Sequence, residues 1–239
     1  MTGASSTSPS PIRLLIHGAR GKMGARLAVL ARNDRRFTLV AEIGRDDAAR
    51  AEQLTTSSID AIVDFSTEQG ACQAAQLAVR HRAALLVGTT GLSSASMQVI
   101  ADSARTGPLM IAPNTSLGVA VLNHLAVQAA RMLGSSFDVD LIEAHHAAKR
   151  DAPSGTAVRL AERLRSDAGI DLPPERVHCL RAGDIVGEHT VQFAGPGERI
   201  TISHAATSRD LFAHGALRAI HWLAQQKPGR YSIEQSLGM

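Results

Sequence analysis

Short apolar runs alternate with helical patterns along the first half of the chain. Each run has the length and composition of a strand buried on both faces, and the intervening segments place apolar residues on one helical face. This alternation predicts a Rossmann-like, doubly wound parallel sheet whose carboxyl edge binds ligands. The predicted strands are residues 12–17, 37–43, 59–65, 84–88 and 109–112. One helix is predicted from 66 to about 81, and another follows the fourth strand and ends at about 105. Any helix within 45–58 must be short.

The second half of the chain predicts a smaller α+β domain with a mixed, mostly antiparallel sheet. Its helices are predicted at 117–133 and 154–168, and its strands at 137–144, 177–180, 185–193 and 200–204, with a hairpin loop at 194–198. A last helix at 211–225 is apolar enough to return to the first domain. We therefore predict a disordered tail (1–11), a dinucleotide-binding domain (12–116, completed by 208–239) and a substrate-binding and oligomerisation domain (117–207).

A glycine-rich turn joins the first strand to the first helix, in the sequence Gly18-Ala19-Arg20-Gly21-Lys22-Met23-Gly24. Strand, glycine-rich turn and helix form the context in which a dinucleotide pyrophosphate binds at a helix N-terminus. The spacing is G-x-x-G-x-x-G rather than G-x-G-x-x-G, so an ordinary strand-to-helix turn stays an alternative. The second strand ends in Gly44-Arg45, where Arg45, helped by Lys22, could meet a 2′-phosphate or be a solvated surface cation.

Composition narrows the class of protein. The 239 residues are 44% hydrophobic but only 3% aromatic, so the core must consist of Leu, Val, Ile and Ala. The formal charge is +3, without a Lys/Arg run or a basic stripe with aromatics, which argues against nucleic acid. No apolar run has transmembrane length, and the first residues lack the features of a signal peptide. Two distant cysteines, Cys72 and Cys179, fit reduced thiols, so we expect a cytoplasmic protein.

The densest chemistry lies between His145 and Thr156. His145 and His146 point to opposite sides of an extended segment, so only one of them can face a reacting ligand. His145 and Lys149 are candidate proton donors, and the Ser154-Gly155-Thr156 helix start suits a carboxylate. The alternative for each histidine is a hydrogen-bonded structural residue. Although the chain has ten histidines, no convergent ligand spacing occurs, so no metal site is predicted.

Other assignments stay open at this point. The segment from Arg181 to Asp184, and Arg209, are either functional or ion-paired between the domains. A second two-domain oxidoreductase, such as a semialdehyde or sugar dehydrogenase, is an alternative enzyme, although neither cysteine lies in a predicted catalytic loop. A non-catalytic NAD(P)-binding sensor is the non-enzyme alternative, but a sensor has no need of a proton donor.

The motifs resemble those of the 4-hydroxy-tetrahydrodipicolinate (dihydrodipicolinate) reductases. The resemblance runs from Ile12 to the C-terminus, in the family's order. It rests on the glycine-rich turn, the segments 88–91, 112–114 and 145–157, the block from Arg181 to Thr190, and Ser208-Arg209 with Phe212 and Gly215. It implies reduction of a cyclic dicarboxylate by NAD(P)H to tetrahydrodipicolinate, in lysine and diaminopimelate biosynthesis, by a homotetramer built through the second-domain sheets.

The resemblance also implies residue roles. His145 and Lys149 would be the proton donors, and His146, Gly155 and Thr156 would hold a substrate carboxylate. The cofactor residues would be Gly18, Ala19, Arg20, Gly21, Lys22 and Met23 at the pyrophosphate, with Gly88, Thr89, Thr90, Ala112, Pro113, Asn114 and Thr115 at the nicotinamide.

Two positions depart from the family pattern. An acidic residue usually stands where this chain has Gly44, followed by the basic residue found here as Arg45. Without that carboxylate a ribose hydrogen bond and a repulsion against a 2′-phosphate are both lost, which predicts a preference for NADPH over NADH. The position of Thr115 often carries a phenylalanine, so a stacking contact near the nicotinamide is expected to be missing.

Overall fold

The structure, a computed structural model, describes residues 10–45, 47 and 59–239. Two compact units are present. Unit 1 is the described part of Met1–Thr115 with Ala213–Ser236, and unit 2 is Ser116–Phe212 with Leu237–Met239. Most of the predicted tail and of the segment 45–58, in which any helix was expected to be short, falls outside the described residues. The roles predicted for the two domains stay predictions.

Unit 1 is built on a six-stranded sheet in which all paired strands are parallel. Its strands are β1 (Ile12–His17), β2 (Phe37–Ile43), β3 (Ala61–Asp64), β4 (Ala84–Val87), β5 (Pro108–Ile111) and β10 (Gly229–Tyr231). Its helices are α1 (Lys22–Arg32), α2 (Glu68–His81), α3 (Ser94–Asp102) and most of α6 (Asp210–Leu223). In the order β10-β5-β4-β3-β1-β2, the strand order reverses beside β1, between β1 and β3. The predicted doubly wound sheet is confirmed.

Unit 2 is a four-stranded mixed sheet with two helices. The helices are α4 (Leu117–Leu133) and α5 (Gly155–Ala168), and the strands are β6 (Asp138–His145), β7 (Val177–Arg181), β8 (Gly187–Gly195) and β9 (Glu198–Ala206). In the order β7-β6-β8-β9, only β6 and β7 are parallel. Short 3₁₀ turns occur at Ser103–Arg105, Gly134–Ser136, Pro174–Arg176 and Gln235–Leu237. This confirms the predicted second sheet and both predicted helices.

Two details of the strand prediction were wrong. The sixth strand of unit 1, β10, was missed because Gly229-Arg230-Tyr231 carries no apolar run. It is defined only by its parallel pairing with β5. The predicted hairpin loop at 194–198 is shorter, because Gly195 pairs with Glu198 and leaves a two-residue turn. Gly197 in that turn has φ +80°, a conformation that a side chain strains.

Aliphatic residues fill the core of each unit, as the composition predicts. In unit 1 they come from both faces of the sheet, since the successive residues Leu14 and Leu15 of β1 are each 0% exposed. In unit 2, α4 and α5 pack on one face of the sheet, and Phe193 of β8 is the largest fully buried side chain. These cores hold the strand ends that carry the polar side chains described below.

Replacing Phe193 by Ala tests the core of unit 2. Phe193 is 0% exposed, so we expect the free energy of unfolding to fall by about 3–5 kcal/mol because a cavity is left. The matched control is Ile200→Ala in the paired position of β9, where the side chain is 40% exposed and the loss should stay below about 1 kcal/mol. Urea unfolding followed by circular dichroism measures both, and equal losses would contradict this placement of the core.

Candidate active site

A cavity of about 810 Å³ lies at the carboxyl edge of the unit 1 sheet. It follows the ends of β1, β2 and β3, where the strand order reverses and where doubly wound sheets bind their ligands. The lining residues are His17, Gly18, Arg20, Gly21, Gly44, Arg45, Phe65, Ser66, Thr67, Glu68, Gln69, Gly70 and Gln73. The cavity therefore has the position and the size of a nucleotide site.

The turn before α1 requires two of its glycines. Gly18 has φ +81°, and a Cβ there would lie 2.2 Å from the carbonyl oxygen of Phe65. A Cβ on Gly24 would lie 2.1 Å from the carbonyl oxygen of Gly18. Both backbone N–H groups of Gly18 and Ala19 donate to the carbonyl of Ile43, at 2.8 and 3.0 Å. The turn is thus held close to β2 and β3, and only glycine fits at these two positions.

The start of α1 fits the pyrophosphate of a dinucleotide. Its N-cap is Gly21, which has no side chain to accept hydrogen bonds from the first turn. By contrast, Thr67, Ser93, Ser116 and Ser154 each cap their helix through the side chain. The N–H groups at the start of α1 are therefore available to an anion, next to the cavity.

A buried carboxylate connects three loops at this edge. Asp64, at the end of β3, accepts hydrogen bonds from the hydroxyl groups of Ser66 (2.5 Å) and Thr89 (2.6 Å). Its Oδ1 also lies 3.0 Å from Nδ1 of His17 at the end of β1. The N–H of Ser66 donates in turn to Thr89 Oγ1 at 2.8 Å. The ends of β1, β3 and β4 are thereby fixed relative to one another.

The predicted cofactor residues divide into two groups. Gly18, Arg20, Gly21 and Arg45 line the cavity. The others lie on the same turn or after β4 and β5, outside the lining: Ala19, Lys22, Met23, Gly88, Thr89, Thr90, Ala112, Pro113, Asn114 and Thr115. Gly88 nevertheless abuts a lining residue, since a Cβ there would lie 2.3 Å from the Phe65 ring.

The end of β2 carries a feature that sequence reasoning missed. The guanidinium of Arg20 lies over Gly44, so that a Cβ at Gly44 would be 2.9 Å from Arg20 Nε. The carboxylate of Asp47 accepts from the N–H of Gly44 at 2.9 Å and from Arg20 at 3.3 Å. The absence of a side chain at Gly44 thus leaves room for Arg20 beside Arg45.

Unit 2 contains a second buried carboxylate, that of Glu143 on β6, which is 0% exposed. Its Oε2 accepts from Nδ1 of His145 at 2.5 Å and from Arg181 at 2.9 Å. Its Oε1 accepts from Arg181 at 2.7 Å and from the N–H of Ser154 at 3.1 Å. Burial alone would raise the pKa of Glu143, but the hydrogen bonds from Arg181 and His145 lower it to about 2. The group is therefore an anion at neutral pH.

This pairing determines which nitrogen of His145 can carry a mobile proton. Because Glu143 is a carboxylate, Nδ1–H of His145 is the donor, and Nε2 is left for a ligand. A Cβ at Gly187 would lie 3.0 Å from that Nε2, so glycine keeps the space beside it open. His145 stands at the end of β6, where the imidazole is buried to 8% exposure. This geometry suits a proton donor in a largely water-excluded position.

His189 and Ser154 connect the histidine to the start of α5. The His189 ring packs edge-on against His145, with 5.2 Å between centroids, and its Nε2 lies 3.1 Å from the Ser154 hydroxyl. Ser154 Oγ also accepts from the N–H of Ala157, which makes it the N-cap of α5. Burial, together with repulsion from His145, lowers the pKa of His189 to about 4. His189 is therefore neutral at physiological pH.

The remaining predicted residues surround this cluster. His146 is half-buried just after β6, and its carbonyl accepts from the N–H of Lys149 at 3.0 Å. The ammonium of Lys149 forms an ion pair with Asp151 at 2.8 Å. Gly155 is the first residue of α5 and has open space around its Cβ position, and Thr156 follows it half-buried. The structure thus gathers the predicted residues on one loop and one helix start.

Comparison with known proteins follows the same division of the chain. Residues 12–115 match the model of the N-terminus of dihydrodipicolinate reductase, and residues 118–237 match that of its C-terminus. The 4-hydroxy-tetrahydrodipicolinate reductase of Xanthomonas campestris pv. campestris (strain B100) is 44% identical over 94% of this chain and 97% of that protein. The corresponding protein of Stenotrophomonas maltophilia (strain R551-3) is 42% identical over 95% and 98%.

The chain belongs to the dihydrodipicolinate reductase family.

Membership of the dihydrodipicolinate reductase family makes the chain an oxidoreductase of lysine and diaminopimelate biosynthesis that uses a nicotinamide cofactor. The resemblance seen in the motifs is confirmed. A solved structure, the dipicolinate-bound dihydrodipicolinate reductase from Paenisporosarcina sp. TG-14, superposes with a TM-score of 0.77 over 93% of this chain and 97% of that one. At 23% identity, this likeness supports the fold.

Three residues of this dihydrodipicolinate reductase site were missed or left open in the sequence. Glu143 and His189 occupy inward-facing positions of β6 and β8, in phase with Leu141 and Val191. A polar residue at an inward-facing strand position, where apolar residues are expected, is a sequence signal that could have indicated this buried network. Arg181 forms its ion pair with Glu143 inside unit 2, rather than between the domains.

The described part of the chain contains neither a cluster of metal ligands nor a membrane-spanning helix. Among residues 10–45, 47 and 59–239, no group of three or more His, Cys, Asp or Glu side chains is arranged to hold a metal ion. Within that same part of the chain, no helix has the length and apolar character needed to cross a membrane.

The neutral state of His189 predicts a pH dependence of stability. The folded pKa of about 4 lies below the ordinary 6.5, so the unfolded chain takes up the proton first as the pH falls. This contribution is present above pH 6.5 and is lost towards pH 4, by roughly 2 kcal/mol at pH 4.5. Glu143 contributes only below about pH 4.5, because its pKa is lowered from 4.5 to about 2. Urea unfolding at pH 7 and pH 4.5 should show a smaller loss in His189→Gln, and equal losses would contradict a buried neutral His189.

Proposed function

We propose that the chain reduces the ring double bond of a cyclic dicarboxylate, 4-hydroxy-tetrahydrodipicolinate or its dehydrated form, to give tetrahydrodipicolinate. The observation that carries the proposal is the Glu143–His145 pair, which occupies Nδ1 of His145 and leaves Nε2 as the nitrogen that can exchange a proton with a ligand. In the chain, this pair comes shortly before the helix start at Ser154, which is suited to a carboxylate. The related protein from Paenisporosarcina binds dipicolinate, a cyclic dicarboxylate, and this supports the class of substrate.

The proposed roles follow the chemistry of each side chain. The bound nicotinamide supplies a hydride to the ring. His145 donates a proton from Nε2 to the reduced ring, and Lys149 supports it as a second proton donor and as a cation near the anionic substrate. The imidazole of His146, with Gly155 and Thr156 at the start of α5, holds a substrate carboxylate. The open space around Gly155 lets a ligand approach the backbone N–H groups.

The cofactor residues are proposed on the same basis. The start of α1 and the turn Gly18–Met23 hold the pyrophosphate. Arg45 lines the cavity next to Gly44. The carboxylate of Asp47 also lies at this strand end, but its charge is offset by the ion pair with Arg20, so we propose NADPH as the preferred cofactor and NADH as the poorer one. Asp47 pairs with Arg20 rather than standing in the Gly44 position, which leaves Arg45 as the cation for the phosphate. The loops after β4 and β5 are proposed to face the nicotinamide.

A coupled assay tests the reaction and the cofactor together. The cyclic dicarboxylate is generated in situ, and nicotinamide absorbance is followed with NADPH and NADH separately. We expect kcat/KM to be about 10–100-fold higher with NADPH, the worth of one charge-assisted hydrogen bond, and the ratio to approach one in Arg45→Ala. Faster oxidation of NADH would contradict the cofactor proposal.

The same assay separates the enzyme from the sensor. His145→Ala should still bind the dinucleotide and should lose about 10²-fold or more in kcat. An unchanged protein that binds the dinucleotide but oxidises neither cofactor would contradict the proposed reaction and favour the non-catalytic sensor.

We further propose a homotetramer built through the sheet of unit 2. The face of this sheet opposite α4 and α5 exposes Ile142 (39%) and Leu180 (55%). Ile142 lies in register with the uncharged Thr190 of β8, which pairs with Ser203 of β9. The same face carries the charged side chains of Asp140, which is paired with Arg176, and of Glu188, so the apolar strip suited to a second copy is flanked by charges. Cys72 and Cys179 are free thiols, which supports a location in the cytoplasm.

Analytical ultracentrifugation tests the assembly. Leu180→Arg should shift the protein to smaller species, because a charge would be buried without a partner. Val158→Arg, at an exposed position of α5 away from this face, is the control and should leave the mass unchanged. A monomeric unmodified protein would overturn the proposal.

A further inference from the structure

We propose that Glu143 is a positioning residue that aligns the proton donor and the carboxylate-binding helix start together, with Arg181 as its clamp. This inference rests on the proposed function. It adds that a single carboxylate, which does not itself contact the ligand, sets both the orientation of His145 and the place of the first turn of α5.

The two oxygens of Glu143 have different tasks. Oε2 accepts the Nδ1–H of His145 at 2.5 Å, and this leaves Nε2, the ring nitrogen beside Gly187, for a ligand. Oε1 accepts the N–H of Ser154 at 3.1 Å, and Ser154 is the N-cap of α5. The proton donor and the helix start are thus attached to atoms of one rigid, planar group. A displacement of Glu143 must displace both.

Arg181 keeps this carboxylate in place. It donates to both oxygens of Glu143, at 2.7 and 2.9 Å, in the fork geometry that fixes the plane of a carboxylate. The same guanidinium donates to the carbonyl of Asp151 at 2.5 Å and to that of Leu180 at 2.7 Å. Strand β6, strand β7 and the segment before α5 therefore meet at one ion pair. The partners of Glu143 are sufficient to keep it ionised while buried.

The charge of Glu143 has a chemical consequence that a purely structural residue would lack. An anion on Nδ1–H stabilises the imidazolium form of His145, which is the form that donates a proton. A neutral amide in its place removes that stabilisation and presents an N–H group or a weaker acceptor to Nδ1. The fraction of His145 that is ready to donate should fall, and it should fall most at higher pH.

Glu143→Gln tests this directly. In the unmodified protein and the variant we would measure kcat and kcat/KM between pH 5.5 and pH 9, with the dinucleotide Kd by fluorescence. This interval of about pH 5.5 to pH 9 includes the range in which a histidine titrates. We expect kcat to fall about 10²-fold, the acid limb of the profile to move to lower pH, and KM for the dicarboxylate to rise, while the dinucleotide Kd is unchanged.

Two further variants separate positioning from folding. Glu143→Asp keeps the charge on a shorter side chain, so the acid limb should return towards its original pH although kcat stays low. Arg181→Lys keeps the charge of the clamp but loses the fork, and it provides the test if Glu143→Gln does not fold. Asp60→Asn is the matched control, because it removes the carboxylate paired with Arg13 at the amino end of β3 and should alter neither limb nor KM.

A readout without turnover distinguishes this inference from the proposed function. Nitrogen-detected NMR of the histidine side chains in the free protein should show the proton of His145 on Nδ1, and this should change in Glu143→Gln. If the unmodified protein does not turn over the dicarboxylate, the proposed function fails, and the NMR result still decides the positioning of His145. A folded Glu143→Gln protein with the original acid limb, KM and His145 tautomer would overturn the inference.

Discussion

The ion pair between Glu143 and Arg181 is the constraint on which the arrangement of unit 2 depends. A carboxylate that is fully removed from water is costly unless its oxygens are satisfied, and here four donors from three segments satisfy them. The positions of these donors are tightly constrained, because the loss of any one of them leaves the buried carboxylate with an unsatisfied hydrogen-bond site. The position of His145 and the start of α5 are therefore consequences of solvating one anion with protein groups.

Unit 1 uses a related arrangement at its own sheet edge. Asp64 is also buried at a strand end, but two of its partners are the neutral hydroxyl groups of Ser66 and Thr89. His17 supplies the third contact, so the ends of β1, β3 and β4 converge on one side chain. In both units a carboxylate at the end of a strand organises the loops that follow. The sheets supply rigid strand ends, and the buried anions convert them into defined sites.

The predictable part of the site was the part encoded in contiguous sequence. The turn from Gly18 to Gly24 and the segment from His145 to Thr156 each place their proposed functional groups within one turn or helix start. Residues that are close along the chain are therefore also close in three dimensions. Glu143, Arg181 and His189 meet from three strands, and strand register cannot be counted along the chain. Even so, Glu143 and His189 lay in the apolar phase of their strands, where a polar side chain requires a buried partner.

Hydrophobic periodicity and local turn chemistry act over a few residues, so the amino-acid sequence was sufficient to predict the parallel sheet, the second mixed sheet and the two short segments proposed to carry the chemistry. Only the tertiary structure decided the rest. Strand β10 exists because β5 offers an edge, not because Gly229-Arg230-Tyr231 favours a strand. The ion pair of Arg181 and the choice of Nδ1 as the His145 nitrogen that is held by the protein depend on Glu143, which strand pairing brings to them. Contacts between segments that are distant in the chain depend on tertiary packing, so no local sequence pattern predicts them.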